Sequence, residues 1–418
     1  MSERSGIDRV KTSGIVILFL VALPSVALHY FLGTEVKTLF GATTLIAALS
    51  TASRLRFERS GNLALVLAVV AGLTAVAWFW STLPSQLLMG VTLLSLITLG
   101  WTAATSFDRQ SMNLLYGITI VILIGAWIGF VYSLGGGGPT LCFENPDRRL
   151  NCLYLATFSN SDAVDFWGAI RPAGIFDEPG ALSFYVTLVV CLNELCNGGR
   201  KRSFILFSLG LVTLSLAHVF CFAVYTAITL RKRVAYLALA LVILAGPISE
   251  FVDQQVTDTQ LGASFLDRFS IQDGRLAGDN RTEQMIEFFS LVDSDVSRYG
   301  NNAMIKYRQG GVSFTDQSAH PFSIWFGYGF IIWIPYAVTI LVLLYNVFDR
   351  RRPVQVTAIL LVLLLVQRPY IYSLYWGFAV WSIIAFMFIK KASLEVPNAD
   401  SESRLIPSHG PLPRSAAS

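Results

Sequence analysis

The sequence predicts an all-α polytopic membrane protein with about twelve transmembrane helices and two large polar loops, and three observations predict it. Hydrophobic residues make up 54% of the 418 and charged residues only 14%, with a mean hydropathy of +0.58, too little polar surface to cover a soluble globule. Apolar runs approaching the roughly 20 residues that cross a hydrocarbon core recur along the chain. Basic clusters punctuate them: Arg4, Arg9 and Lys11; Arg54, Arg56 and Arg59; Arg200, Lys201 and Arg202; Arg231, Lys232 and Arg233; Arg350, Arg351 and Arg352; Lys390 and Lys391. The positive-inside rule assigns all of them to one face, the cytoplasmic one, and leaves the two long loops on the other.

In order, spans are expected at 14–32, 36–52, 62–80, 86–106 and 112–134, a five-helix region within 1–134. The first run lacks a small-residue cleavage site and reads as a span rather than a removed signal. A loop at 135–179 opens with Gly135 to Gly138 and Pro139, a flexible exit from the fifth helix. Spans at 180–197, 203–216, 217–230 and 234–248 fill 180–248. The run 203–230 reads either as one tilted helix or as two short ones, and charge bias favours two, turning near Ala217 and His218. The second loop, 249–320, carries an Asp273-Gly274 turn signal and one helical stretch. There Asn280 caps, Glu283 follows three later, and Met285, Phe288 or Phe289 and Val292 recur at helical spacing. Spans at 321–347, 354–368 and 372–389 fill 321–391, and a tail at 392–418, rich in Pro, Ser and Ala, reads as disordered. Both termini fall inside.

The net charge of +4 excludes little, but between residues 250 and 318 eleven acids face six bases, the wrong sign for nucleic acid. Cys191, Cys196 and Cys221 lie in apolar runs as packing residues. Cys142 and Cys152 share the first loop, where an oxidising compartment permits a disulfide; they either pair or remain thiols. No spacing suggests a metal site, and no cofactor is expected.

The chemistry-bearing residues sit in the loops. In Arg171-Pro-Ala-Gly174-Ile-Phe176-Asp177-Glu178-Pro179-Gly180, Asp177 or Glu178 can cap the sixth helix and Pro179 suits its first turn. Arg171 has no such structural duty: its planar fork suits a lipid-linked phosphate, with Gly174 allowing close backbone approach. The plainer readings are an arginine snorkelling to headgroups or pairing with Glu178. His320, before Pro321 at a helix start, is held neutral by the helix dipole and so can act as a general base, or merely cap and pack. Arg281, beside the cap Asn280, puts a cation where the dipole prefers an anion, which fits shared phosphate binding with free amides or else a solvated surface arginine. Arg298, Lys306, Tyr307 and Arg308 add donors and an aromatic platform. Arg368, before Pro369 at the end of a span, is costly there unless paired or functional.

These motifs resemble the O-antigen ligase and polymerase superfamily over roughly residues 112–389. The R-x-x-G-x-F-x-E-P pattern (Arg171, Gly174, Phe176, Glu178, Pro179), the Arg281 helix, and His320 before a glycine-containing helix carry the resemblance. It implies a GT-C-like fold and a metal-independent inverting glycosyltransferase of the bacterial inner membrane, with its loops in the periplasm. The implied substrate is an undecaprenyl-pyrophosphate-linked oligosaccharide. Arg171 and Arg281 would grip the pyrophosphate, His320 would activate or orient the acceptor hydroxyl, and Gly174, Glu178, Arg298, Tyr307, Arg308 and Arg368 would line the substrate. The implied partners are membrane lipid, a flippase and a chain-length regulator. A polymerase of O-antigen, capsule or exopolysaccharide units is favoured over a ligase that transfers glycan to lipid A core. A transporter is the main rival from another class; it would place ionisable groups at mid-membrane and repeat its halves, and this chain does neither.

Overall fold

The computed structural model describes residues 84–144, 150–160, 170–230 and 320–393, with residues 21, 25, 43, 271–272, 275–276, 289, 297 and 300. It is mostly helical, 75% of interpretable residues. Apart from residues 21, 25 and 43, the spans expected at 14–32, 36–52, 62–80 and 234–248 lie outside the described residues, as does the tail from 394.

Helices α1 (Pro84–Ser106) and α2 (Arg109–Leu134) meet at a turn secured by Asp108. Its carboxylate accepts from the Ser111 amide and hydroxyl, each at 2.8 Å, and so satisfies an otherwise orphaned helix donor. Beside Met112, Leu115, Ile122 and Leu123, α2 buries Ser111, Thr119, Gly125, Ala126, Gly129 and Ser133. Leu114, Val121, Ile124, Ile128 and Val131 face outward. A helix bathed in water sorts its side chains the other way. Large apolar groups on the outer face, with small and hydroxyl groups among those inside, suit a helix that packs among lipid.

The all-α expectation is corrected in the first loop. There β1 (Leu141–Glu144), β2 (Leu150–Tyr154) and β3 (Thr157–Asn160) form an antiparallel sheet in that order. Cys142 lies directly opposite Cys152 and the two are disulfide-bonded, with 4.1 Å between their Cα atoms. The β2–β3 turn docks on α2, where Ala156 and Thr157 occupy the space that side chains at Gly125 and Gly129 would need. After the sheet, the Ile170 amide donates to Ser133 Oγ at 3.2 Å, and Phe158 and Gly174 form a bridge.

Helix α3 (Pro179–Leu195) is buried along its whole length from Ala181 and forms the centre of the bundle. Around it stand α4 (Arg200–Gly210), continued by a 3-10 turn at Leu211–Thr213, and α5 (Leu216–Leu230). Phe207 meets His218 and Phe222, while Phe204 meets Phe222 and Tyr225. Contacts that descend one helix as they climb the other make α4 and α5 an antiparallel hairpin. Its turn lies at Leu211–Ser215, not at Ala217 and His218. Leu214 takes the left-handed conformation that reverses the chain (φ +49), and His218 continues α5 with its ring hydrogen-bonded to the Phe207 carbonyl at 2.8 Å.

From the second loop, β4 (Ile271–Gln272) and β5 (Arg275–Leu276) pair across the Asp273-Gly274 turn signal. The single span expected at 321–347 is corrected to α6 (Ser323–Tyr328) and α7 (Phe330–Val347). They are separated by Gly329 at φ +89, a conformation glycine adopts without a Cβ penalty. Helix α8 (Arg352–Gln367) runs antiparallel to α7: Gln355 Nε2 donates to the Val347 carbonyl at 3.0 Å, and the Tyr336 hydroxyl to the Leu365 carbonyl at 3.1 Å. A 3-10 turn at Tyr370–Tyr372 leads into α9 (Leu374–Ser393), whose Trp381 and Ser382 press against Gly100 of α1. Among the described residues, α2 and α7 are long and apolar enough to cross a membrane.

The bundle has two chemically different ends. At one, Arg202 donates to Asn113 Oδ1 at 2.6 Å, and Arg352 donates to Thr229 Oγ1 at 2.9 Å. There too Phe107 meets Phe386, near Lys390, at 6.2 Å. Buried Glu194 accepts from Ser203 and Tyr225, both at 2.7 Å, and links α3 to both arms of the hairpin near this end. At the other end lie the sheet, the turn of the α4–α5 hairpin, the start of α3, the start of α7 and the end of α8. The described basic clusters therefore share one end, and the polar turns share the opposite one.

Candidate functional site

Arg171, Glu178, His320 and Arg368 all stand at the end opposite the basic clusters. Arg171 lies in the strand-like strap after the sheet, half-buried, and its Nη2 donates to the Leu214 carbonyl at 3.3 Å. The strap is thereby fastened to the turn of the α4–α5 hairpin. That turn is also tied to α2. Trp127 of α2 donates its indole N–H to Leu209 beside the turn at 3.0 Å. From Trp127, α2 runs on seven residues to Leu134, about 10 Å further. The guanidinium of Arg171 is therefore held to the backbone of a turn that packs beside α2.

Glu178 occupies the N-cap position of α3 with extended backbone, and Pro179 takes the first turn as expected. Its side chain makes no cap hydrogen bond. Instead it forms an ion pair with Arg368 Nη1. This partner comes from the far end of the chain. Arg368 Nη1 also donates to the Tyr370 hydroxyl at 2.7 Å, and the guanidinium lies 5.6 Å from that ring's centre. Burial raises the Tyr370 hydroxyl above its ordinary pKa despite the adjacent arginine, so Tyr370 stays protonated and uncharged at neutral pH.

Gly174 is buried at φ +66, and a Cβ there would strike Ile122 Cγ2 at 2.8 Å. Its amide donates to Thr157 Oγ1 at 2.8 Å. Its bareness accommodates α2.

His320 is wholly buried just before α6, and Pro321 lies in the preceding turn rather than in a helix. Its Nδ1 accepts the Phe322 amide in a long bond of 3.3 Å. An Nδ1 that accepts is unprotonated, so in the neutral ring the proton resides on Nε2. In that tautomer the Nε2 side of His320 offers a donor. Trp333 Nε1 donates to the Pro321 carbonyl at 3.0 Å, and the Tyr372 hydroxyl donates to the Ile332 carbonyl. These two contacts connect the His320 segment through the first turn of α7 to the Arg368–Tyr370 turn.

Arg281, Arg298, Tyr307 and Arg308 lie outside the described residues. Two points of their loop are fixed. Phe289, eight residues after Arg281, sets its ring 5.0 Å from that of Phe322, and Gly300 packs against the backbone of Gly327 and Gly329. Tyr370 and Tyr372 were not singled out from sequence; the signal was Arg368-Pro-Tyr-Ile-Tyr closing an apolar run, an aromatic cluster of the kind found where a span ends. Among the described residues no group of three acids, histidines or cysteines is placed to hold a metal. The class these observations define is a mostly helical protein with helices able to cross a membrane. Comparisons with family models, curated proteins and solved structures return no match.

Proposed function

We propose that this protein is a polysaccharide polymerase of the bacterial inner membrane, with about twelve spans, both termini cytoplasmic, and its site on the periplasmic face. The observation that carries the reading is the gathering of Arg171, Glu178, Arg368 and His320 at the end of the bundle away from the basic clusters. The disulfide at that same end suits an oxidising compartment. The Arg171 guanidinium at this end suits a diphosphate that enters with its lipid, because its planar fork takes phosphate oxygens bidentately.

In the proposed reaction the acceptor sugar oxygen bonds to the anomeric carbon as that carbon's bond to diphosphate breaks. The electron pair leaves with the polyprenyl diphosphate, and the hydroxyl proton passes to this departing anion. Arg171 and Arg281 neutralise the developing charge, which positioned cations can do without a metal. His320 orients the acceptor hydroxyl through its Nε2–H. Arg171→Ala and His320→Ala are the test, in a strain whose surface polymer depends on this protein. Loss of chain extension with normal protein in the membrane supports the reading, and unaltered chain-length distribution in both removes it. Polymer formation by purified protein should persist in chelator; its loss would contradict the metal-free reaction.

A further inference from the structure

The guanidinium of Arg368 is only half used by the protein. Nη1 serves both Glu178 and Tyr370. Nε is buried and has no hydrogen-bond partner. Nη2 lies over the first turn of α3, so close that a Cβ on Gly180 would meet it at 2.5 Å. The residue as a whole is 9% exposed. A buried N–H donor left unsatisfied is costly, and the Nε and Nη2 edge is one a phosphate or carboxylate takes bidentately. It faces the amino end of a 17-residue helix whose centre is buried, where backbone amides and the helix dipole favour an anion. Pro179 supplies no amide, so Gly180 carries the first one.

We propose that the Nε and Nη2 edge of Arg368 and the amino end of α3 form a subsite for one phosphoryl group of the polyprenyl diphosphate substrate, with Glu178 as the positioning residue that aligns Arg368. This rests on the polymerase reading and names where its substrate's headgroup binds. The Glu178–Arg368 pair is close to neutral, so the subsite selects by directed donors rather than by net charge. Glu178 turns Nη1 away and presents the opposite edge to the helix end. Gly180 is then required for clearance: any side chain would displace Nη2.

The test uses the full chain purified in nanodiscs of neutral lipid, with farnesyl diphosphate as probe and farnesol, inorganic pyrophosphate and phosphatidylglycerol as competitors. Arg368→Lys keeps the charge and the partner Glu178 but loses the fork, and should weaken farnesyl diphosphate binding at least tenfold. Gly180→Ala should do the same with no change of charge. Glu178→Gln should weaken it less, and its polymer yield should fall through KM rather than kcat. Competition by pyrophosphate but not farnesol supports a headgroup site. Displacement by phosphatidylglycerol at equal concentration would make it a general lipid-headgroup site and overturn the substrate assignment. Binding by Arg368→Lys and Gly180→Ala equal to wild type, with both variants folded as judged by unchanged thermal unfolding, would remove the subsite while leaving the polymerase reading intact. Failure of the wild type to bind farnesyl diphosphate would overturn that reading itself.

Discussion

Arg171 donates to the carbonyl of Leu214, and this one hydrogen bond of 3.3 Å joins the strap that follows the sheet to the turn of a helical hairpin. The hairpin returns the chain at Leu230 to the end where Arg200 to Arg202 lie, while Arg171 stands at the other. A single helix through the same residues would reverse every later segment.

The hairpin can be read directly by labelling. In a background lacking the native unpaired cysteines, Leu211→Cys at the turn and Lys201→Cys at the start of α4 should react oppositely. Both positions are exposed. Leu211→Cys should take up an impermeant maleimide in intact spheroplasts, and Lys201→Cys only after permeabilisation. Equal reactivity would remove the hairpin topology.

The disulfide offers a second check. Cys142 and Cys152 close a loop with a separation of 10, and losing it should release about 3 kcal/mol of constraint on the unfolded segment. Cys142→Ser should therefore speed proteolysis within residues 135–170, and the wild type treated with reductant should match it. Protein isolated without reductant should show neither thiol open to alkylation.

Much of this architecture was legible in the sequence. The span expected at 112–134 became α2 at Arg109–Leu134, and that expected at 354–368 became α8 at Arg352–Gln367, because long apolar runs bounded by charge leave few alternatives. The sheet was not legible, since strands of four and five residues among glycines and prolines carry too short a pattern. Nor was the turn at Leu211–Ser215: Leu-Val-Thr-Leu-Ser is apolar and holds neither glycine nor proline, and the left-handed Leu214 is imposed by packing. Residue identities pointed to Arg171, Glu178, His320 and Arg368 individually. Which of them pair is a tertiary matter, and no local rule joins Glu178 to Arg368.

Gly174 separates a structural role from a ligand role. Gly174→Ala must tolerate φ +66 and a Cβ pressed on Ile122, which together cost about 2–4 kcal/mol. The expected result is less folded protein in the membrane, with activity per folded molecule unchanged. Normal folding with lost activity would instead restore the glycine to the substrate site.

His320 gives the sharpest distinction, because its hydrogen bond fixes which nitrogen can act. With Nδ1 accepting from Phe322, the useful group is the Nε2–H donor. Glutamine places an amide N–H close to the position of Nε2, so His320→Gln should retain a substantial part of the polymerisation rate, while His320→Ala loses it. Asparagine mimics Nδ1 and reaches no further, so His320→Asn should behave like alanine. A general base contributes about 10²–10⁴-fold, and neither amide can replace it. If His320→Gln is as inactive as His320→Ala, and the wild-type rate falls as pH drops through the imidazole range, the ring works as a base. The tautomer implied by the Phe322 contact would then have to change before each turnover, with that contact broken to free Nδ1 or the proton removed from Nε2.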